Sequence, residues 1–197
     1  MRILLLTILV GVVLSASAAA QAVEQQVGKI RALYAATNRR IDDGLKDDKT
    51  LGLHYAAWTV GGERDGQQWA AVGTMKSVDE FYFDGDPRLA EDGKKPDARK
   101  AIRKIVSTYA GAADLQARAE YLFDAAGDLV FAFTSELQED GAKAEKRFYY
   151  ARGKLIRIAR AGKNLDGRFG NEDARLAASA QAEAKRLQNI FALMFAE

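Results

Sequence analysis

Cysteine is absent from this 197-residue chain, and histidine occurs once, at His54. The absence of cysteine excludes a lipoprotein acylated on cysteine and a small scaffold held by disulfides. Zinc frameworks of Cys and His, thiol nucleophiles, haem attachment sites and paired-histidine metal motifs are excluded as well. We interpret His54 as a structural or surface residue rather than as a catalytic base.

The chain also has little excess charge, since 29 Lys and Arg face 27 Asp and Glu. This balance argues against a dedicated nucleic-acid or membrane-surface binder. Neither the phosphate-loop motif nor the dinucleotide-binding motif occurs. Asp84-Gly85-Asp86 resembles the start of a calcium loop, but Arg88 stands where an oxygen ligand is required. We therefore expect no cofactor, no metal and no nucleic-acid partner.

The N-terminus has the pattern of an export signal. Arg2 is followed by the apolar run Ile3–Leu14, which is too short to cross a bilayer comfortably, and by Ala20-Gln21-Ala22, an A-x-A cleavage site. We predict a signal peptide over 1–22, cleaved after Ala22, and a periplasmic or secreted bacterial protein. An N-terminal membrane anchor is the alternative.

Cleavage would leave a single globular domain over 23–197 without an integral membrane segment. Of the charged residues only Arg2 would be removed, so 28 cations would face 27 anions and the net charge would be +1. The oligomeric state stays open.

A phrase of alternating aromatic residues, a turn and a second apolar run occurs three times. It reads EFYFDGDPRL at 80–89, EYLFDAAGDLVFAF at 120–133 and RFYYARGKLIRI at 147–158. In the last two copies Gly127 and Gly153 stand at the turn, where a residue that tolerates positive φ closes a tight hairpin. The phrase therefore predicts antiparallel hairpins.

Further runs of period two predict additional strands. They cover Leu53–Val60, Gln68–Met75, Val78–Phe83 and Ile102–Tyr109. The run Leu129–Phe133 lacks strict alternation, which favours a central strand buried on both faces. Residues 84–100 hold both prolines and ten charged residues, five of each sign, and we expect an exposed loop there.

Two amphipathic helices flank these strands in the sequence. The first presents an apolar stripe of Val23, Val27, Ile30, Tyr34, Thr37, Ile41 and Leu45. The second is capped by Asn171 and presents Leu176, Ala180, Ala184, Leu187, Ile190, Phe191, Met194 and Phe195. A membrane-interfacial helix is the alternative for the second, but its mixed polar face is weakly charged. The predicted fold is α+β, an antiparallel meander sheet of about seven to eight strands with both helices packed against it.

The candidate binding residues are aromatic side chains with a polar group and cations near the last hairpin. The aromatic candidates are Trp58, Trp69, Tyr82, Tyr121, Tyr149 and Tyr150, with core packing as the alternative for each. The cationic candidates are Arg147, Arg157 and Arg160. They belong to a basic segment of eight cations against the single Asp166: Lys146, Arg147, Arg152, Lys154, Arg157, Arg160, Lys163 and Arg168. This segment could receive an acidic partner or anionic ligand, or it could be a solvated face or a charged edge strand.

The opening helix segment IRALYAATN at 30–38, with the phrases E-Y-x-F-D-x-x-G-x-L and R-F-Y-Y-x-x-G-K-L-I-R, resembles a loosely defined group of uncharacterised bacterial secreted proteins. The resemblance implies an exported helix followed by hairpins with Y-Y-F-x-x-G-K-L phrases. It implies no activity, ligand or catalytic residue. The chain departs from the pattern at Pro87, where a charged loop replaces a tight turn, and in its long closing helix.

Three functional hypotheses follow. The first is an exported, non-catalytic binding module for an envelope protein or other ligand. The second is a carrier or sensor that holds a small apolar ligand between sheet and helices. The third is an envelope hydrolase that uses paired carboxylates, for which the candidate acids are Asp79, Glu80, Glu120 and Asp124.

Overall fold

The computed structural model describes residues 2–46, 52–61, 75–88, 97–111, 116–137 and 141–196, with side chains from residue 20 onward. Helix α1 spans Arg2–Leu45 and helix α2 spans Asn171–Met194. The strands are β1 (His54–Gly61), β2 (Lys76–Phe83), β3 (Ile102–Ala110), β4 (Gln116–Phe123), β5 (Leu129–Leu137), β6 (Lys143–Ala151), β7 (Lys154–Arg160) and β8 (Lys163–Asp166). Trp69 and the predicted strand Gln68–Met75, except for Met75, lie outside the described residues.

The strands form one antiparallel sheet in chain order, from β1 at one edge to β8 at the other. Each strand pairs with the next along the chain, so the described part of the molecule is an open meander. This arrangement, together with one helix before the sheet and one after it, confirms the predicted α+β fold and its strand number.

The turns confirm the hairpins of the second and third phrases. Gly127 has φ +85° between β4 and β5, and the turn from β6 to β7 places Arg152 at φ +51° and Gly153 at φ +72°. Two successive positive φ angles define the type I′ turn, whose twist matches that of paired strands. A similar turn at Ala161 and Gly162 leads into β8, which the sequence patterns did not predict.

The first phrase is built differently. After β2 the chain continues through Pro87 into the charged region, and a single 3₁₀ turn at Ala98–Ala101 leads into β3. The amide of Asp84 donates a hydrogen bond to the carbonyl of Ala101, so the two ends of this connection meet beside the sheet. Residues 89–96 of the predicted loop lie outside the described residues.

The two helices cover opposite faces of the sheet. On the α2 face, Phe81, Phe148, Tyr150 and Ile158 pack with α2. On the α1 face, Val27 and Ile30 of α1 pack with residues of β4 to β6. Val130, Phe131 and Ala132 of β5 are consecutive and all buried, which confirms that this strand is covered on both sides.

Two details of the helix predictions were wrong. Asn171 is the first residue of α2 rather than its cap; the N-cap is Gly170, which offers no side chain to the helix N–H groups. Leu45 was assigned to the buried stripe of α1, but its side chain is 75% exposed at the helix end. None of the helices among the described residues is long and apolar enough to cross a membrane.

Candidate functional site

A partly open pocket of about 340 Å³ lies between α1 and the middle of the sheet. This volume falls within the usual range for small-molecule sites, about 300–1,000 Å³. Its lining consists of Ile30, Arg31 and Tyr34 of α1, Glu120 of β4, Phe131 and Phe133 of β5, and Arg147 and Tyr149 of β6. We call it the α1 pocket. The sheet residues share a face because Phe131 pairs with Tyr149, Phe133 with Arg147, and Glu120 with Phe133.

The floor of the α1 pocket is a rigid aromatic surface. The rings of Phe131 and Tyr149 lie 5.2 Å apart on neighbouring strands, and the two residues are 7% and 4% exposed. Tyr34 of α1 meets the ring of Phe131 edge-on at 5.5 Å. Aromatic pairs of this kind favour defined positions, so the floor offers a preformed apolar contact surface.

Two arginines lie over aromatic rings of the α1 pocket. The Arg31 guanidinium lies 5.9 Å from the centre of the Tyr149 ring, and the Arg147 guanidinium lies 5.2 Å from the Phe133 ring. Arg31 also contacts Glu24 at 3.6 Å, and Arg147 contacts Glu145 at 2.9 Å. All four charged side chains are more than 40% exposed. Exposed pairs contribute little, so both guanidinium groups can rearrange toward an anion.

One end of the α1 pocket is closed by a buried polar network around Glu120. Lys104 Nζ lies 2.6 Å from Glu120 Oε2, to which Tyr34 Oη also donates at 2.6 Å. Arg118 Nη2 lies 2.9 Å from Glu120 Oε1. Lys104 donates a further hydrogen bond to Asn38 Oδ1 at 2.9 Å. Both oxygens of Glu120 are therefore engaged, and the network ties α1 to β3 and β4.

This network keeps Glu120 ionised. Burial alone would raise the pKa of Glu120, but the hydrogen bonds from Lys104 and Tyr34 outweigh it, so the pKa lies below its ordinary value. A general acid of a glycoside hydrolase needs a raised pKa and a free proton. Glu120 has a lowered pKa, and both of its oxygens accept hydrogen bonds, so it serves as a structural anchor.

A second ionic anchor holds the part of α1 around Glu24. Arg157 of β7 is 5% exposed and donates to Glu24 of α1 at 2.6 Å and to Asp166 of β8 at 2.6 Å. The hydrogen bond from Arg157 lowers the pKa of Asp166. Because both acids are engaged with it, the Arg157 guanidinium is committed to holding α1 against the sheet.

The predicted binding residues are distributed over several places. Arg147 and Tyr149 line the α1 pocket. Arg157 lies in the ionic anchor, and Arg160 Nη1 pairs with Asp173 of α2 at 2.7 Å. The structure therefore brings two of these four residues to one site.

The remaining aromatic candidates lie elsewhere. Tyr150 is fully buried and donates to the Ala177 carbonyl of α2, and Tyr121 is 3% exposed in the same core. Tyr82 is half-buried beside Tyr55, and its pKa is raised to about 12 by burial and by Glu80. Trp58 lies on β1 with 44% of its surface exposed. Tyr121 and Tyr150 therefore face α2 rather than a ligand.

The basic segment is partly neutralised by acids that lie outside residues 146–168. Arg147 is paired by Glu145, Arg157 by Glu24 and Arg160 by Asp173. Glu145 stands directly before this segment in the sequence, whereas the pairing of Glu24 and Asp173 with it depends on the fold.

Several residues of the α1 pocket were not singled out by the sequence. Arg31 and Phe133 belong to the segments 30–38 and 120–133, but neither was predicted to bind a ligand, and Lys104 of the neighbouring network lies in a predicted strand without a distinguishing pattern. Tyr34 belonged to the predicted apolar stripe of α1, which correctly pointed it at the sheet. A polar hydroxyl on that stripe was the one available signal for a site beneath the helix.

A larger concavity of about 400 Å³ lies at one end of the strands, beside Lys76, Thr108, Arg118 and Lys143. Residues 112–115 and 138–140, which follow β3 and β5 in the chain, lie outside the described residues. Within the described ranges, no group of three or more His, Asp or Glu side chains is arranged to hold a metal ion. Comparison of the chain with known protein families, curated proteins and solved structures found no match.

Proposed function

We propose that this protein is an exported, non-catalytic binding protein that holds a small molecule in the α1 pocket. The ligand has an apolar, preferably aromatic, body and one anionic group. The observation that carries the proposal is an aromatic lining with two guanidinium groups on it, since Arg31 lies over the Tyr149 ring and Arg147 over the Phe133 ring.

The floor supports the apolar part of the ligand. A ring in the pocket would contact the half-buried Phe133 and the small exposed parts of Phe131 and Tyr149, which strand pairing already holds in place. Preformed sites bind without the loss of side-chain entropy that a flexible site incurs. A flat or elongated apolar body suits a pocket of about 340 Å³.

The two arginines support the anionic part. A guanidinium group binds a carboxylate through two parallel N–H donors, and this geometry is specific for planar anions. Glu120, the one acid in the lining, is already engaged by Lys104 and Arg118 and so repels an incoming anion weakly. A cationic or neutral molecule of the same shape would lack this interaction.

The export part of the proposal is supported by the sequence of residues 1–22. Helix α1 runs through the predicted cleavage site, and the part that lines the α1 pocket begins at Ile30. Cleavage after Ala22 would therefore leave the pocket and Glu24 in the mature chain. A periplasmic or secreted location fits a protein that collects small molecules outside the cytoplasm.

Calorimetric titration with 2-naphthoate and decanoate, against neutral 2-naphthylmethanol, tests the proposal. We expect the carboxylates to bind at least tenfold more tightly than the alcohol. The double variant Arg31→Gln with Arg147→Gln should abolish this preference. A hydrogen bond to a charged group contributes about 1.5–3 kcal/mol, which corresponds to roughly tenfold or more in affinity.

Arg175→Gln is the matched control, since Arg175 is exposed on α2, on the opposite face of the sheet. It should leave the preference for 2-naphthoate unchanged. Absence of binding of both carboxylates, or equal binding of the alcohol, would contradict the proposed function.

A further inference from the structure

The two edges of the sheet differ in how they are protected. Strand β8 has four residues, and Lys163 and Asp166 stand at its ends. Strand β1 has eight residues, HYAAWTVG, with no Asp, Glu, Lys, Arg or Pro. Short length, charge and proline are the usual means of keeping an edge strand from pairing with another chain. Strand β8 uses two of them, and β1 uses none.

Strand β1 also exposes large apolar side chains. Tyr55 is 54% exposed, Trp58 44% and Val60 46%. Within the described part of the chain, β1 is hydrogen-bonded to β2 alone, so its outer row of N–H and C=O groups has no strand partner there. A long, uncharged and apolar edge is the surface that another strand extends.

We infer that β1 of a second copy of this chain pairs antiparallel with β1 and joins the two sheets into one. A second copy fits because the strand is uncharged, so two identical edges meet without repulsion. Each copy offers the other its outer row of β1 N–H and C=O groups, which no other strand in the described ranges pairs. Since each copy has one such edge and β8 is charged, the assembly closes as a two-fold symmetric dimer.

The symmetry restricts the register. A two-fold axis perpendicular to the sheet keeps each face on its own side, so opposed residues must both have even or both have odd numbers. A register centred on Trp58 places the two Trp58 rings opposite one another and opposes Ala56 with Val60. On the other face it opposes Ala57 with Thr59. This register covers the exposed apolar residues Trp58 and Val60 together.

Ala57 and Thr59 provide the test, because both are exposed and a long side chain at either position disturbs no core contact. In Ala57→Lys with Thr59→Lys, each lysine faces a lysine of the other copy. Like charges directly opposite destabilise strand pairing, and we expect the dissociation constant to rise by at least about tenfold. In Ala57→Lys with Thr59→Glu, each lysine faces a glutamate, and the dimer should be retained.

The measurement is sedimentation velocity of the chain expressed from its own Met1, over a series of concentrations. The wild type should approach the mass of a dimer with rising concentration. The matched control, Gln116→Lys with Asn164→Lys, adds two cations at exposed strand positions away from β1 and should dimerise like the wild type.

Hydrogen exchange is an independent measurement of the dimer, since the amides of 54–61 should gain protection as the protein concentration rises. A wild type that stays monomeric would overturn the inference. So would a dimer that survives the double-lysine variant, or one that the lysine and glutamate pair disrupts as strongly as two lysines do. None of these outcomes depends on ligand binding in the α1 pocket.

Discussion

At the residue scale, the buried pair of Lys104 and Glu120 decides how α1 is attached. Lys104 is 4% exposed and Glu120 is 7% exposed. Removing two charges from water is unfavourable by several kcal/mol per ion unless each is paired and hydrogen-bonded. Tyr34, Asn38 and Arg118 provide those further hydrogen bonds. The network therefore joins α1 to β3 and β4 through groups whose burial is offset by their mutual hydrogen bonds.

The variant Lys104→Met should lower the free energy of unfolding by roughly 3–5 kcal/mol, because it leaves the Glu120 carboxylate buried without its main cation. Urea denaturation at neutral pH measures the change. The variant Lys104→Met with Glu120→Met removes both charges and should be more stable than Lys104→Met alone. If Lys104→Met unfolds at the wild-type urea concentration, Glu120 is not held by this pair.

Individual residue roles were also the least predictable feature of the chain. Glu120 and Glu80 precede similar aromatic runs, and the sequence makes both of them candidate acids for a hydrolase. Which of them is buried depends on α1, whose Tyr34 and Asn38 are more than 80 positions away from Glu120 in the chain. The local sequence around a strand carboxylate is the same whether its side chain contacts a lysine or water in the fold. The role of Glu120 could not be predicted without the fold.

At the element scale, the hairpins were predictable because their determinants are local. Alternating side chains and a glycine at the turn lie within one short stretch, and Gly127 and Gly153 adopt the positive φ that this reading requires. The α1 pocket is different, since it is assembled from one helix and three strands. Strand β8 was missed because its four residues are too short for a period to be seen.

Two glycine substitutions should have opposite effects on stability. Gly153→Ala should destabilise by roughly 1–2 kcal/mol, because alanine is strained at φ +72° although its methyl group would meet nothing within 4 Å. Gly28→Ala should stabilise by roughly 0.5–1 kcal/mol, since Gly28 lies inside α1 with open space around it. Thermal unfolding of both variants tests this, and the same sign of change for both would contradict it.

At the scale of the whole molecule, the two helices are held by different forces. Helix α2 packs through Ala180, Ala184, Leu187 and Phe191, with one ion pair at Asp173 in its first turn. Among the side chains described from residue 20 onward, helix α1 buries fewer apolar groups and is fixed at three points by ionised groups. These points are the pair of Glu24 with Arg157, the network around Glu120, and the contact of Arg40 with Asp84.

Acid should therefore release α1 before α2. Burial opposes ionisation of Glu120 and Asp84, but hydrogen bonds to their cations lower the pKa of each, and Arg157 lowers the pKa of Asp166. Because these values are depressed in the folded state, the unfolded chain binds more protons. The stabilisation they provide is complete above the unfolded pKa values of about 4 and is lost as pH falls through the folded ones.

Hydrogen exchange of 27–41 and 177–191 at a series of pH values measures this order of release. At each pH the intrinsic exchange chemistry is nearly common to both helices, so the ratio of their protection isolates the structural effect. We expect the ratio of α1 protection to α2 protection to fall below about pH 4, as the carboxylates of the sheet side that hold α1, Glu120 and Asp84, become protonated. The variant Asp84→Asn with Glu120→Gln should show weaker protection of α1 already at pH 7 and a smaller change on acidification. Loss of α2 protection at or above the pH at which α1 is released would show that charge does not distinguish the two faces of the sheet.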